Sequence, residues 1–496
     1  MKSLLATSLF LSICSTILLT AASSIDHGQS EMAGHVTETS VILQSRLTQG
    51  ATLIDGDLPG SEGAARFELA TNPNFEKSRK TQWIKASQDY DYIIKVKVAG
   101  LRPSTKYYYR LLYGPERDDT IKGRTCSFKT LGGKNAVQET TFVVVTGMNY
   151  FFFHEGPYRP EGAYQGDDKH LGYPALEAIL KQKPDFFVAT GDNVYFDHPA
   201  KGEGSDRWTG TAWSDRAKTE AEMRRKFHEQ FIQPRYVALF AEVPTYWEVD
   251  DHDYRYNDCD NTTDKMPTPQ MGASNFREQL PVVDPADRTA LTYGTFRVSR
   301  DLQIWLVEGR LYRSPNRMPD GPDKTIWGDT QKQWLKDTLL ASDATFKILI
   351  SPTPLIGPDD GSMGKRDNHT NIEGFRYERD AFFKWLVDNG FLEKNFFIAC
   401  GDRHWQYHSI HPTGIEEFSC GALVQANSRL GPRPGDPKSN DPQGLIKQPY
   451  WQEEASAGFL KITVEPGKNK NMPAIQFDFY DEFGKSLYAH KKYAKD

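Results

Sequence analysis

The chain has 496 residues, 38% of them hydrophobic and 25% charged, with a formal net charge of −6; this length bounds the domain count at two or three. The acidic balance gives no general electrostatic footprint for nucleic acid. Beyond the amino-terminal run described next, no stretch is apolar enough to span a membrane.

Met1-Lys2 is followed by an apolar run from Leu4 to Leu19 and then by the small residues Thr20-Ala21-Ala22-Ser23-Ser24. This pattern predicts a secretory signal peptide over 1–24, cleaved near Ala22 to Ser24, and hence a secreted or periplasmic protein. An uncleaved anchor is the competing reading, against which the run is short. Cys14 sits in a loosely lipoprotein-like context, but the apolar run continues past it.

Residues 35–131 alternate in polarity, as in Ser40–Arg46 and Tyr92–Val98, and predict a small β-sandwich. Leu101–Arg110 is similar to the tyrosine-corner segment of fibronectin type III domains, where a Tyr hydroxyl pins a loop to the backbone. Such a domain is expected to shield one side of an active-site mouth or to bind a surface polymer.

From 140 to 490 the pattern changes to strands alternating with helices. Tyr173–Leu180 and Gln331–Leu339 carry apolar residues three and four apart and precede the apolar runs Asp185–Val188 and Phe346–Ile350. Helices lying on a sheet are the expected result. Gly458–Val464 and Ala474–Tyr480 read as closing strands of a second sheet, and Leu430–Gln448 as a long polar loop. Cys126, Cys259, Cys400 and Cys420 remain after the signal and admit three disulfide pairings, none needed for folding a chain this long. Cys400 reads as a buried apolar residue.

Four clusters of polar residues each follow an apolar run: Thr146-Gly147-Met148-Asn149, Gly191–Tyr195, Val249–Asp253 and Gly401–His404. Loops at the carboxyl ends of strands converge over a rigid sheet, so these positions suit the first ligands of a site. Asp192, Asp251 and Asp402 would repel one another unless cations compensated them. A dinuclear metal centre is the simplest arrangement. Read singly, each cluster is equally an ordinary turn, a helix N-cap or a solvated acidic loop. No nucleophile elbow and no phosphate-binding P-loop is present.

Gly191-Asp192-x-x-Tyr195, Asp250-Asp251-His252-Asp253 after Trp247, and Gly401-Asp402-x-His404 together resemble the PhoD-like alkaline phosphatase/phosphodiesterase family of metallophosphatases. Trp327–Gln331 with Trp334-Leu335, and Gly374-Phe375 with Glu378-Arg379 downstream of Asp367, extend the resemblance across nearly the whole mature chain. It implies a four-layer αββα sandwich behind the amino-terminal β-sandwich. It also implies an iron and a calcium ion: Asp192 as the bridging carboxylate, Tyr195 and His404 on the first metal, Asp251 and Asp402 on its neighbour, and His252 as the catalytic imidazole. Phenolate and imidazole suit a ferric ion, and carboxylates suit calcium. Asp250 competes with Asp251 for one ligand position; Asp251 is favoured because it immediately precedes the His.

The expected reaction is hydrolysis of phosphomonoesters or phosphodiesters by metal-activated water. A phosphodiesterase or phospholipase-like enzyme on the same centre, and a surface-binding protein that has lost its chemistry, are the alternatives. Two departures from the family bear on this. No Cys stands at Thr146–Asn149, where Asn149 or His154 offers a replacement ligand and Met148 reads as packing. The family's phosphate-holding Arg is also missing after Glu278–Pro281, and Arg277, Arg288, Arg310 and Arg376 are the candidates to replace it, Arg310 and Arg376 foremost.

Overall fold

The computed structural model describes residues 25–117, 121–157, 160–198, 216–262, 265–287, 289–467 and 472–495. The expected signal peptide lies outside the described residues. Two large mixed sheets stack face to face. In the first, Thr140–Val145, Phe186–Thr190 and Thr245–Glu248 run parallel as neighbours. In the second, Leu302–Leu306, Phe346–Ser351, Phe396–Cys400 and Glu416–Cys420 form a parallel run of four.

Strand alternation explains the layering, because successive side chains leave a strand on opposite faces. Phe142, Val144, Phe186 and Val188 enter the core between the sheets, where they join Ile304, Ile348, Ile350, Phe397 and Phe418. Val143, Val145, Phe187 and Ala189 face outward into a second core under Leu176, Ile179, Phe227 and Phe231 of the helices Pro174–Gln182 and Glu220–Phe231. Leu349 and Ile398 of the other sheet meet Leu335, Leu339, Phe382 and Leu386 of the helices Gly328–Ala341 and Arg376–Asp388. The result is helix, sheet, sheet, helix. Across the central layer the Phe418 and Phe477 rings stack with centroids 3.7 Å apart.

Gly458–Glu465 and Ala474–Asp481 belong to the first sheet, not the second. Gly458–Glu465 pairs antiparallel with Thr140–Val145, followed by Ala474–Asp481 and Ser486–Tyr493. Their apolar alternation fixes only that one face is buried, and the choice of partner is made by the long-range pairing with Thr140–Val145.

The amino-terminal strands divide between two sheets. Gly63–Ala70 and Lys106–Gly114 form the centre of a six-stranded sheet. Met32–Gly34, Ser40–Arg46 and Ile93–Ala99 instead extend the first large sheet, with Gly34 in parallel register beside Thr245. The tyrosine corner forms, with the Arg102 N–H donating to the Tyr107 hydroxyl at 2.9 Å. Lys95 donates to the carbonyls of Arg277, Glu278 and Leu280 at 2.7–2.8 Å, placing a cation at the carboxyl end of the helix Pro269–Gln279.

All four described cysteines are free and buried, so none of the three disulfide pairings forms. The segment 430–448 is tied down instead of loose: Asn440 exchanges backbone and side-chain hydrogen bonds with Asp359 and donates to the Thr370 carbonyl.

Candidate metal centre

A parallel bridge between Thr146 and Ala422 joins the carboxyl ends of the two sheets, and the polar clusters gather around this seam. Asp192 and Asp402 each follow a glycine just beyond a strand and adopt left-handed backbone, with φ of 54° and 59°. Asp tolerates this region better than most residues, and functional sites often use it to aim a side chain. The preceding glycines are required by crowding. A Cβ on Gly191 would lie 2.4 Å from that of Asp250, and one on Gly401 would lie 2.1 Å from Thr190 Oγ1.

Three donors converge, Asp192 and Tyr195 from one loop and His404 from a distant one. The Tyr195 hydroxyl donates to Asp192 Oδ2 at 2.7 Å, and His404 Nε2 lies 3.2 Å from the same oxygen and 3.4 Å from the Tyr195 hydroxyl. All three residues are buried. Asp192 Oδ1 and His404 Nδ1 are buried without a hydrogen-bond partner. Ligand atoms of Asp192, Asp251 and His252 also come within 4.8 Å of one another. Orphaned buried polar atoms are rare. A carboxylate, a phenol and an imidazole converging with lone pairs to spare fit a hard or borderline cation.

The neighbouring aspartates separate cleanly. Asp250 is neutralised by Arg310, whose guanidinium lies 2.5 Å from its Oδ1. Asp251 accepts backbone hydrogen bonds from His252 at 2.8 Å and Asp258 at 2.6 Å, faces Asp192, and lies farther from the same Arg310 guanidinium, at 3.9 Å. Asp253 braces the loops: Oδ1 accepts from the Asp192 and Asp250 N–H groups and Oδ2 from the Asn193 amide. Burial, with repulsion from Asp192, pushes Asp253 up to about 8.

Asp402 lies at the rim. It pairs with Arg403, accepts from the Asn368 amide at 3.3 Å, and falls outside the tight group around Asp192. Burial raises its pKa, and Asp251 and Asp367 add to the rise against the opposing Arg403. Burial likewise raises Tyr195 well above the ordinary phenol, with Asp192 reinforcing it.

His252 stacks on Tyr195 at 4.3 Å between centroids, and its Nδ1 lies 2.6 Å from Asp197 Oδ1. Burial alone would lower its pKa, but Asp197, Asp251 and Asp192 hold it well above the usual histidine value. Among the described residues Nε2 carries no hydrogen bond, which leaves it the ring nitrogen free to give a proton.

Several expectations change here. Asn149 is spent structurally: its Oδ1 caps the helix Tyr150–Glu155 by accepting from Phe152 N–H at 2.9 Å, and its amide donates to His198 Nδ1 at 2.9 Å. The Met148 sulfur accepts from the Tyr236 hydroxyl at 2.9 Å, consistent with packing. Arg310 is not placed to bind substrate, because it is fully buried between Asp250 and Asp367. Arg376 gives its guanidinium to the carbonyls of Thr370 and Asn440.

Asn427 and Asp197 escaped the sequence reading. Asn427 donates to the Tyr195 hydroxyl at 2.8 Å from a turn after the Glu416–Cys420 strand. The apolar run Cys420–Val424 ending in polar residues is the same signal that marked the other clusters. Asp197 stands five residues after Asp192, in the loop that also carries Tyr195.

This fold, with its meeting of carboxylates, phenol and imidazoles at the sheet seam, defines a phosphoester hydrolase of the metallophosphatase type. The chain belongs to the PhoD-like phosphatase family: the phosphatase domain matches residues 142–471 and its N-terminal domain residues 20–131. Alkaline phosphatase D of Bacillus subtilis (strain 168) is 22% identical over 465 residues, covering 88% of this chain and 75% of that protein. The solved structure of PhoD aligns with a TM-score of 0.73 at 19% identity, covering 95% of this chain and 91% of the other. Purple acid phosphatase PPD1 from yellow lupin (Lupinus luteus) seeds aligns with a TM-score of 0.54 at 12% identity, covering 94% and 74%. The family implies divalent metal ions. No helix among the described residues is long and apolar enough to cross a membrane.

Proposed function

We propose that this chain is an exported, metal-dependent phosphoesterase acting on phosphomonoesters, phosphodiesters or both, with Asp192, Tyr195, Asp251, Asp402 and His404 as metal ligands and His252 as the catalytic imidazole. The observation that carries the reading is the convergence of Asp192, Tyr195 and His404 within 3.4 Å of one another around unpartnered buried atoms. Iron beside Tyr195 and His404 and calcium beside the carboxylates match the donor chemistry. Such a pair, when bound, supplies compensation for the clustered negative charge and the acidity that makes water a nucleophile at neutral pH.

The protein's own groups do the rest. Asp197 fixes His252 with Nδ1 toward its carboxylate, so the proton available for the leaving oxygen sits on Nε2. Asn427 orients the Tyr195 oxygen, and Asp253 holds the Asp192 and Asp250 loops in register.

The test is elemental analysis of purified protein combined with turnover on a phosphomonoester and a phosphodiester panel. Two metals per chain with hydrolysis support the enzyme, and the panel separates the monoesterase from the phosphodiesterase or phospholipase-like alternative. A metal-free, inactive protein would overturn it in favour of a binding protein on the same fold.

A further inference from the structure

A phosphoryl group carries non-bridging oxygens that need a cationic partner, and three of the arginines expected to supply one are already committed. Arg310 and Arg376 are occupied as described, and Arg277 donates to the Ala273 and Ala290 carbonyls. Arg403 lies beside the centre but is held by Asp402 and Asp359. Lys365, also within electrostatic reach of Asp402, is paired with Asp258 at 2.9 Å.

Arg429 is different. It is exposed, and among the described residues its guanidinium forms no hydrogen bond or ion pair. Its position is nonetheless fixed. The Arg429 N–H donates to the His404 carbonyl at 3.0 Å, and two residues earlier Asn427 holds the Tyr195 hydroxyl. Gly431 then presses against Trp405 so closely that a Cβ would lie 2.0 Å from the indole Nε1. The guanidinium carbon of Arg429 lies 5.5 Å from the Trp405 ring centroid, and so does that of Arg403. An unpaired cation is thus held beside a paired one, within electrostatic reach of Asp402 and Tyr195. Arg403 is met by the Asp402 and Asp359 carboxylates, whereas among the described residues the Arg429 guanidinium beside it meets none and keeps its donors for an incoming anion.

We propose that Arg429 is the substrate-binding residue that grips the non-bridging oxygens of the phosphoryl group, supported from below by the Trp405 ring. This rests on the phosphoesterase reading and names the anchor for that site. A guanidinium fork can meet two phosphoryl oxygens at once, which an ammonium cannot do.

The test compares metal-loaded wild type, Arg429→Ala and Arg429→Lys for inorganic phosphate binding by calorimetry, for KM and kcat, and for metal content. Loss of charge-assisted hydrogen bonds predicts that Arg429→Ala weakens phosphate binding and raises KM by roughly ten- to hundredfold. Arg429→Lys is expected to fall between, and both variants to keep wild-type metal content and melting temperature. Wild-type phosphate affinity and KM in a folded, metal-replete Arg429→Ala would overturn the Arg429 assignment alone. A metal-replete wild type that neither binds phosphate nor cleaves any ester would overturn the phosphoesterase reading and this assignment with it.

Discussion

Tyr195 and Asp192 stand one helical turn apart in sequence, and the Tyr195 hydroxyl donates to Asp192 Oδ2 at 2.7 Å. The hydrogen bond pre-sets both oxygens toward His404, which arrives from the other sheet. If Tyr195 holds a metal as proposed, its phenol would have to give up that proton, since ligands bind deprotonated.

Asp192→Asn should therefore abolish hydrolysis, with a loss beyond the roughly 10–100-fold typical of groups that only support a ligand. Metal content should drop with it. Turnover and elemental analysis check this, and full activity would exclude the site.

Asn427→Ala removes the donor to the Tyr195 oxygen without touching a proposed ligand. A supporting group of this kind should cost about 10–100-fold in metal affinity or activity. A metal titration followed by activity would show it, and an unchanged titration curve would mean that Tyr195 needs no such support.

His252→Ala should lower kcat far more than metal content, because the imidazole is read as a proton donor with Asp197 behind it. General acid catalysis is worth about 10²–10⁴-fold. Equal loss of metal and turnover would recast His252 as a ligand.

Arg310→Met breaks two buried ion pairs, with Asp250 and Asp367, and leaves the Asp250 carboxylate without its cation while Asp367 keeps Arg313 at 2.7 Å. The expected cost is about 3–5 kcal/mol in urea unfolding. A folded variant of normal stability with only a raised KM would return Arg310 to the substrate.

Glu416 joins the two sheets away from the centre: His408 lies on its own sheet, and His490 and Lys492 reach it from the other. Burial would raise its pKa, but hydrogen bonds from His408, His490 and Lys492, with the Lys492 charge, hold it well below the ordinary glutamate value of 4.5. A depressed folded pKa gives stability that is complete above the unfolded value and fades as pH falls toward the folded one. The stability gap between wild type and Glu416→Gln should thus be constant from neutrality down to about 5 and shrink below it. Urea midpoints across that range check the sign, and a gap that widens in acid would contradict it.

The αββα layering was legible because Thr140–Val145 and Phe346–Ser351 are short apolar runs and the helices before or between them keep a 3.6-residue spacing. Asp192, Tyr195, Asp251, His252 and His404 were legible because each follows such a run. What the sequence withheld was pairing across distance. Nothing local distinguishes an arginine that meets phosphate from one that meets Asp250 and Asp367, and nothing in Asn149 announces that its amide is consumed by a helix cap. The partner sheet of Gly458–Glu465 is likewise set by contacts three hundred residues away.

The amino-terminal strands have a consequence for how this chain can be cut. Met32–Gly34 covers the margin of Thr245–Glu248, the strand that leads into Asp251. A fragment beginning near residue 140 would bare the edge of this strand at Thr245, whose carbonyl accepts from the His35 N–H at 3.1 Å, beside the apolar side chains of Tyr246 and Trp247, an invitation to strand-to-strand stacking between molecules. The β-sandwich is therefore best regarded as an integral wall of the hydrolase, to be inherited and expressed with it, and the shorter piece is expected to precipitate instead of working alone.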